Sequence, residues 1–164
     1  MIDMLEGHGK LSIRKLLDSC KPSNPQDMTD QQLNRTLAEL IYNARECRRD
    51  TDSLVVIIGD FGTYNTHPLT GDWKKAKWRV TAEEAWTDIP NFSSDPAASL
   101  EVQAKAIEVS ADKYVSNLDV IVNPDTIGDW TNDEIAKLLI ATPRKRAEAA
   151  YMTLSSQNQV NTED

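Results

Sequence analysis

The amino-acid sequence predicts an α+β fold, and three observations carry that prediction. Leu54-Val55-Val56-Ile57-Ile58 is a dense, β-branched run of strand length, the pattern of a central strand covered on both faces. Thr29 with Gln32, and Thr131 with Glu134, have the spacing of capping boxes, in which each side chain accepts from the other's backbone N–H and so satisfies a free donor at a helix start. Asp95-Pro96 places a strong N-cap before the residue best suited to a first helical position, where no N–H donor is needed.

The stretch from Trp86 to Ser110 organises the rest. Pro90 biases Ile89 towards an extended conformation. Ser93, Ser94 and Asp95 can each cap the helix that opens at Pro96. Ala97, Ala98, Leu100, Val102, Ala104, Ala106 and Ile107 then alternate with charged and polar residues, and the small residues near the start suit close packing on a sheet.

The chain predicts further elements in order. Residues 1–27 read as an N-terminal extension, in which Ile13, Leu16 and Leu17 mark a short amphipathic helix before the breaker cluster Lys21-Pro22-Ser23-Asn24-Pro25. A helix starts at Thr29. Leu33, Leu37, Leu40, Ile41 and Ala44 lie on one face, and Arg45, Arg48 and Arg49 in a last turn that ends near Asp50. The Leu54–Ile58 strand follows, then a long polar connection from Gly59 to Asp72. Lys74–Val80 partly alternates and reads as a second strand, and Thr81–Trp86 as a short helical turn or an extended lead. Leu118–Val122 reads as a third strand, followed by a turn at Asn123-Pro124-Asp125. Ile135, Leu138 and Leu139 supply the apolar face of the helix capped by Thr131. Thr142-Pro143 begins a final helix packed through Ala147, Ala150, Tyr151 and Leu154, and residues 155–164 read as a disordered tail.

Composition narrows function. The 164 residues suffice for one domain, residues 28–154, with a real core. A net charge of −8 argues against a general nucleic-acid binder and against docking on an anionic membrane, since both need a basic footprint. The 26 acidic residues are mixed among 18 basic ones, which argues against a DNA mimic. Cys20 and Cys47 are far apart with no CxxC, as expected for free thiols in a reducing cytoplasm. No apolar run is long enough to span a bilayer, and the first residues lack the pattern of a signal peptide.

The sequence contains no evident catalytic set. His8 and His67 are the only histidines and have no ligand-spaced partners, so neither metal nor cofactor is expected. Asp60-Phe61-Gly62 spells a kinase triplet without the accompanying loops. Asp88, Asp95, Asp125 and Asp129 could pair as acid and base, but Asp95 and Asp125 already serve as cap and turn residues.

Two basic stretches stand out. Arg144, Lys145 and Arg146 occupy the first turn of a helix, where cations oppose the dipole and where an anion would be welcome. The plainer reading is a surface patch held by carboxylates such as Glu148. Trp73, Lys74, Lys75, Lys77, Trp78 and Arg79 interleave cations with aromatics, a pattern that can stack a base and hold a phosphate. Tyr64 and His67 could contribute. The plainer reading is an edge strand guarded by lysines, with Trp78 and Val80 in the core.

Three stretches together resemble the Phage ABA sandwich domain and its NinX-like relatives. They are Thr29–Asn34 opening a helix, Ile89–Ser99, and Ala141–Ala150, where a proline is followed by an arginine and small residues. The resemblance spans roughly residues 28–154. It implies a small phage or prophage protein with helices on a short antiparallel sheet, here of three to four strands, and no established catalytic residues. The segment before Thr29, the Leu54–Trp86 insert and the helix capped by Thr131 depart from the pattern.

The resulting expectation is a non-enzymatic phage accessory protein in the bacterial host's cytoplasm that binds a host component. Its concrete form is an anti-defence sponge, a homo-oligomer sequestering a nucleotide immune signal through Arg144, Arg146, Lys75, Lys77, Trp73 and Trp78. The alternative is a protein–protein inhibitor of a host defence or regulatory enzyme.

Overall fold

The structure, a computed structural model, describes residues 24–49, 51–61, 77–126 and 128–160. It is α+β. A 3-10 turn (Pro25–Asp27) leads into α1 (Asp30–Tyr42), β1 (Arg45–Arg48), β2 (Val55–Ile58), α2 (Ala82–Trp86), α3 (Pro96–Val122), α4 (Asn132–Leu139) and α5 (Pro143–Val160). The local start signals act as their chemistry dictates. Thr29 and Thr131 close reciprocal capping boxes with Gln32 and Glu134, Asp95 caps α3 by accepting from the Ala97 N–H, and Thr81 caps α2, which settles that segment as helical.

Among the described residues the sheet has two strands. β1 and β2 pair antiparallel, with Arg45 opposite Ile58 and Arg48 opposite Val55. Among the described residues, the other edge of β2 receives only Arg79, which exchanges two backbone hydrogen bonds of 2.8 Å with Val55. β2 is central in this arrangement, and all four of its residues are buried. Of the strand expected over Lys74–Val80, residues 74–76 lie outside the described residues and Arg79 makes that bridge; the described residues form a two-stranded sheet. Val80, expected in the core, is largely exposed.

Three further expectations are corrected. The first helix does not reach Asp50. Asn43 adopts the left-handed conformation (φ 51°) and ends it, and Arg45 and Arg48 pass into β1, because asparagine is one of the few side chains that tolerates this C-cap geometry. Gly59 makes the close return possible, since a Cβ there would lie 2.7 Å from the Tyr42 carbonyl oxygen. Leu118–Val122 is helical, not a strand. Tyr114, Leu118 and Ile121 recur at helical spacing on the buried face and leave Val120 outside. α4 buries none of its residues, so Ile135 and Leu139 face outward while only Leu138 packs partly on the core. α5 continues to Val160, making Ser155–Val160 helical where a disordered tail was expected.

The core is dominated by helix packing. α3 packs most extensively on α5, while α1 and the 3-10 turn also contact α5. Ala98, Ser99, Val102 and Ala106 on α3, and Ala147, Ala149, Ala150 and Thr153 on α5, are buried. Small residues on both helices let their backbones approach closely. The small start of α3 thus serves a helix pair rather than a sheet. α3 is interrupted at Ser110, whose backbone is extended (φ −162°, ψ 104°) and whose Oγ accepts from the Lys113 N–H, restarting the helix. Asn34 ties α1 to the segment before α3, donating to Asn91 Oδ1 and accepting from the Ser93 N–H, each at 2.9 Å. Phe92, beside them in sequence, is fully buried, and Tyr42 stacks near it with ring centroids 6.2 Å apart.

Candidate functional site

The two basic stretches meet different environments. Around β2, Lys77 and Trp78 lead into the bridge at Arg79, on the edge of β2 that β1 leaves open. Val55 pairs with Arg48 on one side and with Arg79 on the other, so one rung of the sheet carries a cation at each edge. One residue further along, the Arg49 N–H donates to the Leu54 carbonyl, and the Arg49 guanidinium lies 5.1 Å from the centre of the Trp78 ring, within the range of a cation–π contact. The sequence reading missed Arg48 and Arg49 by assigning them to a helix end. The signal that could have found them is Asn43, a residue suited to a left-handed cap.

Carboxylates organise this rim without neutralising it. Arg79 donates to both oxygens of Asp88 at 2.7 Å, a bidentate pair. These hydrogen bonds hold the Asp88 carboxyl below the usual carboxylate range. Lys77 stands 3.8 Å from the same carboxylate, with its side chain 60% exposed. Arg49 is paired with Asp52, and Arg48 reaches Glu46 at 3.5 Å while remaining 62% exposed. Asp88 is therefore a positioning group rather than a general acid or base. A second cation–π pair, Arg35 over Trp86 at 4.3 Å, is locked further in by Glu46, which accepts from the Trp86 Nε1–H at 2.9 Å. Trp73, Lys75, Tyr64, His67 and His8 lie outside the described residues.

At the start of α5, Arg144 turns into the fold. Its Nε donates to Glu148 at 2.6 Å, its Nη1 to Asp30, and its Nη2 to the carbonyls of Pro25 (3.1 Å) and Met28 (2.7 Å). One guanidinium thus joins the 3-10 turn, the first turn of α1 and the first turn of α5. Glu148 is buried and Arg144 is 26% exposed in its side chain. Arg146 takes a separate direction and donates to the Leu139 carbonyl at 3.4 Å, at the end of α4. Nearby, burial pushes the Tyr114 hydroxyl up to about 12, a rise opposed by the Arg146 charge, and among the described residues this hydroxyl has no hydrogen-bond partner.

The remaining candidates have local roles. Asp60 accepts from Asn43, Phe61 packs on Tyr42 at 4.7 Å between ring centroids, and Asp95 caps α3. Cys47 lies partly buried in β1 as a free thiol. Among the described residues, no cluster of His, Cys, Asp and Glu could hold a metal ion, and no helix is long and apolar enough to cross a membrane. No family model, curated protein or solved structure matches the chain.

Proposed function

We propose that this chain is a non-enzymatic phage or prophage accessory protein that captures a small anionic ligand, concretely a nucleotide immune signal, acting as a sponge in the cytoplasm of the bacterial host. The observation that carries this reading is the Arg49 guanidinium on the Trp78 ring, with Lys77, its neighbour in sequence, largely exposed. A tryptophan interleaved with cations is a pattern that can stack a base and hold a phosphate. Trp73 and Lys75 belong to the same stretch of sequence and extend the proposed site. Arg146 is the more available cation of the α5 start, because Arg144 already donates to four internal acceptors. The phage origin rests on the resemblance of the Thr29, Ile89–Ser99 and Ala141–Ala150 stretches.

The test is native mass spectrometry of the purified protein against a panel of mono-, di- and cyclic oligonucleotides, followed by calorimetry on any ligand retained. Binding should weaken about tenfold or more in Trp78→Ala, as expected for the loss of a stacked base, and should also weaken in Lys77→Ala. Affinity unchanged in both variants would remove the rim from the proposal. A bare protein that instead carries a host protein out of cells would favour the inhibitor reading, which the net charge of −8 also permits.

A further inference from the structure

We infer that Ser110 is a hinge at which α3 straightens into one continuous helix, and that this opening lets the segment beyond it exchange with the same segment of a second copy of the chain. Within Pro96–Val122, Ser110 is the residue with non-helical backbone angles. Nothing local demands the break. Ile107 to Lys113 contains neither glycine nor proline, the common local causes of a sharp interruption. The break is closed by a long hydrogen bond, from the Lys113 N–H to Ser110 Oγ at 3.4 Å.

The sequence encodes the continuous helix. Ala97, Leu100, Ala104 and Ile107 before the break, and Ala111, Tyr114, Leu118 and Ile121 after it, recur at alternating steps of three and four. This seven-residue repeat forms one apolar stripe only if the helix is unbroken. The observed form divides the stripe. Tyr114, Leu118 and Ile121 are buried, whereas Leu100 is 49% and Ile107 39% exposed, because the first half buries Ala98, Val102 and Ala106 instead. On a straight helix those two buried sets would point roughly a third of a turn apart. The extended Ser110 lets both reach one core, so tertiary packing imposes the break on a sequence patterned for continuity.

The contacts across the hinge decide the partner. Beyond Ser110, the Asn117 side-chain amide donates to the Thr153 hydroxyl at 3.0 Å, so the end of α3 and α5 travel together. Back across the hinge, Arg144 on α5 donates to Asp30 and to the carbonyls of Pro25 and Met28. A straightened α3 carries Arg144 away from those acceptors. A second copy of this chain presents the same acceptors in the same arrangement, so two opened copies remake each contact between them, which is the basis of domain swapping. This inference stands on the hinge alone and is independent of nucleotide binding at the β2 rim.

Sedimentation of the full chain, refolded at low and at high protein concentration, tests it. The expected result is a dimer favoured by concentrated refolding. Ala111→Pro should abolish it, because proline suits the first position after the Ser110 cap, keeps Ser110 extended and cannot sit inside a continuous helix. Ser110→Ala removes the capping oxygen and favours the continuous helix, and should lower the dissociation constant of the dimer about tenfold or more. Spin labels at the exposed positions Leu100 and Val120, on labelled copies diluted into unlabelled ones, separate this dimer from one formed between surfaces. Their separation should change from its monomer value to about 30 Å, the rise of a continuous helix. Wild type and Ser110→Ala both monomeric after concentrated refolding would overturn the inference. So would a dimer unchanged in Ala111→Pro, or one that keeps the monomer's label separation. Should Ala111→Pro fail to fold, the Ser110→Ala shift and the label separation carry the test.

Discussion

The start of α5 and the rim of β2 carry the same kind of sequence, short runs of cations, and use it in opposite ways. At the start of α5, Arg144 is surrounded by acceptors from three elements and holds them together. At the rim, Arg79 makes a bidentate pair with Asp88, which Lys77 also approaches, while the Arg48 and Lys77 side chains remain largely in solvent and Arg49 covers Trp78. A basic run is therefore not one signal. What separates a strut from a possible ligand site is whether acceptors from distant parts of the chain reach the side chain. Pro25 and Met28 are more than a hundred positions from Arg144 in sequence.

The contrast can be broken most directly at Arg144. Arg144→Ala leaves the buried Glu148 carboxylate without its partner and frees two backbone carbonyls. The expected loss is about 2–4 kcal/mol, reduced from the cost of a wholly buried pair because part of the side chain meets water. Urea denaturation measures it. A loss below about 0.5 kcal/mol, the range of ordinary surface substitutions, would show that the strut carries no load.

A smaller effect of opposite sign is expected at Tyr114. Its hydroxyl is buried without a partner among the described residues, so Tyr114→Phe removes an unsatisfied group and should raise stability by about 1 kcal/mol. The pH dependence has a definite sign. The hydroxyl is raised from 10.0 to about 12 in the fold, so its neutral form is favoured there. The contribution is full below pH 10 and is lost as pH rises towards about 12. The wild type should therefore lose more stability than the Phe variant across that interval, and parallel curves would contradict the assignment.

The smallest effect on stability is expected at the rim. Lys77→Ala should change unfolding by no more than about 0.5 kcal/mol, because the Lys77–Asp88 contact is long and exposed. This is the same variant expected to weaken nucleotide binding. Its two readouts sharpen the comparison, since a strut should fail in stability and a binding residue only in affinity.

Much of the fold was legible locally. The capping pairs Thr29–Gln32 and Thr131–Glu134, the Asp95-Pro96 start and the Leu54–Ile58 run each hold their chemistry within a few residues, and each forms as expected. The α3–α5 pairing was only half legible, because small residues announce close packing but not the partner. Leu118–Val122 was misread because its β-branched composition outweighed a helical spacing that emerges only when Tyr114 is included. Of the proposed site, the Trp78 and Lys77 positions were visible, whereas Arg48 and Arg49 were hidden behind a helix end placed too late.

The sequence by itself determined where helices start, which run forms the central strand, and that cations gather at two places. Those properties come from side chains acting on their own backbone within one turn. Only the tertiary structure decided which cations face inward, which strand Arg79 joins, and that α4 turns its leucine and isoleucines out. The physical reason is that burial and charge pairing depend on groups brought from far along the chain, and no local pattern encodes their arrival.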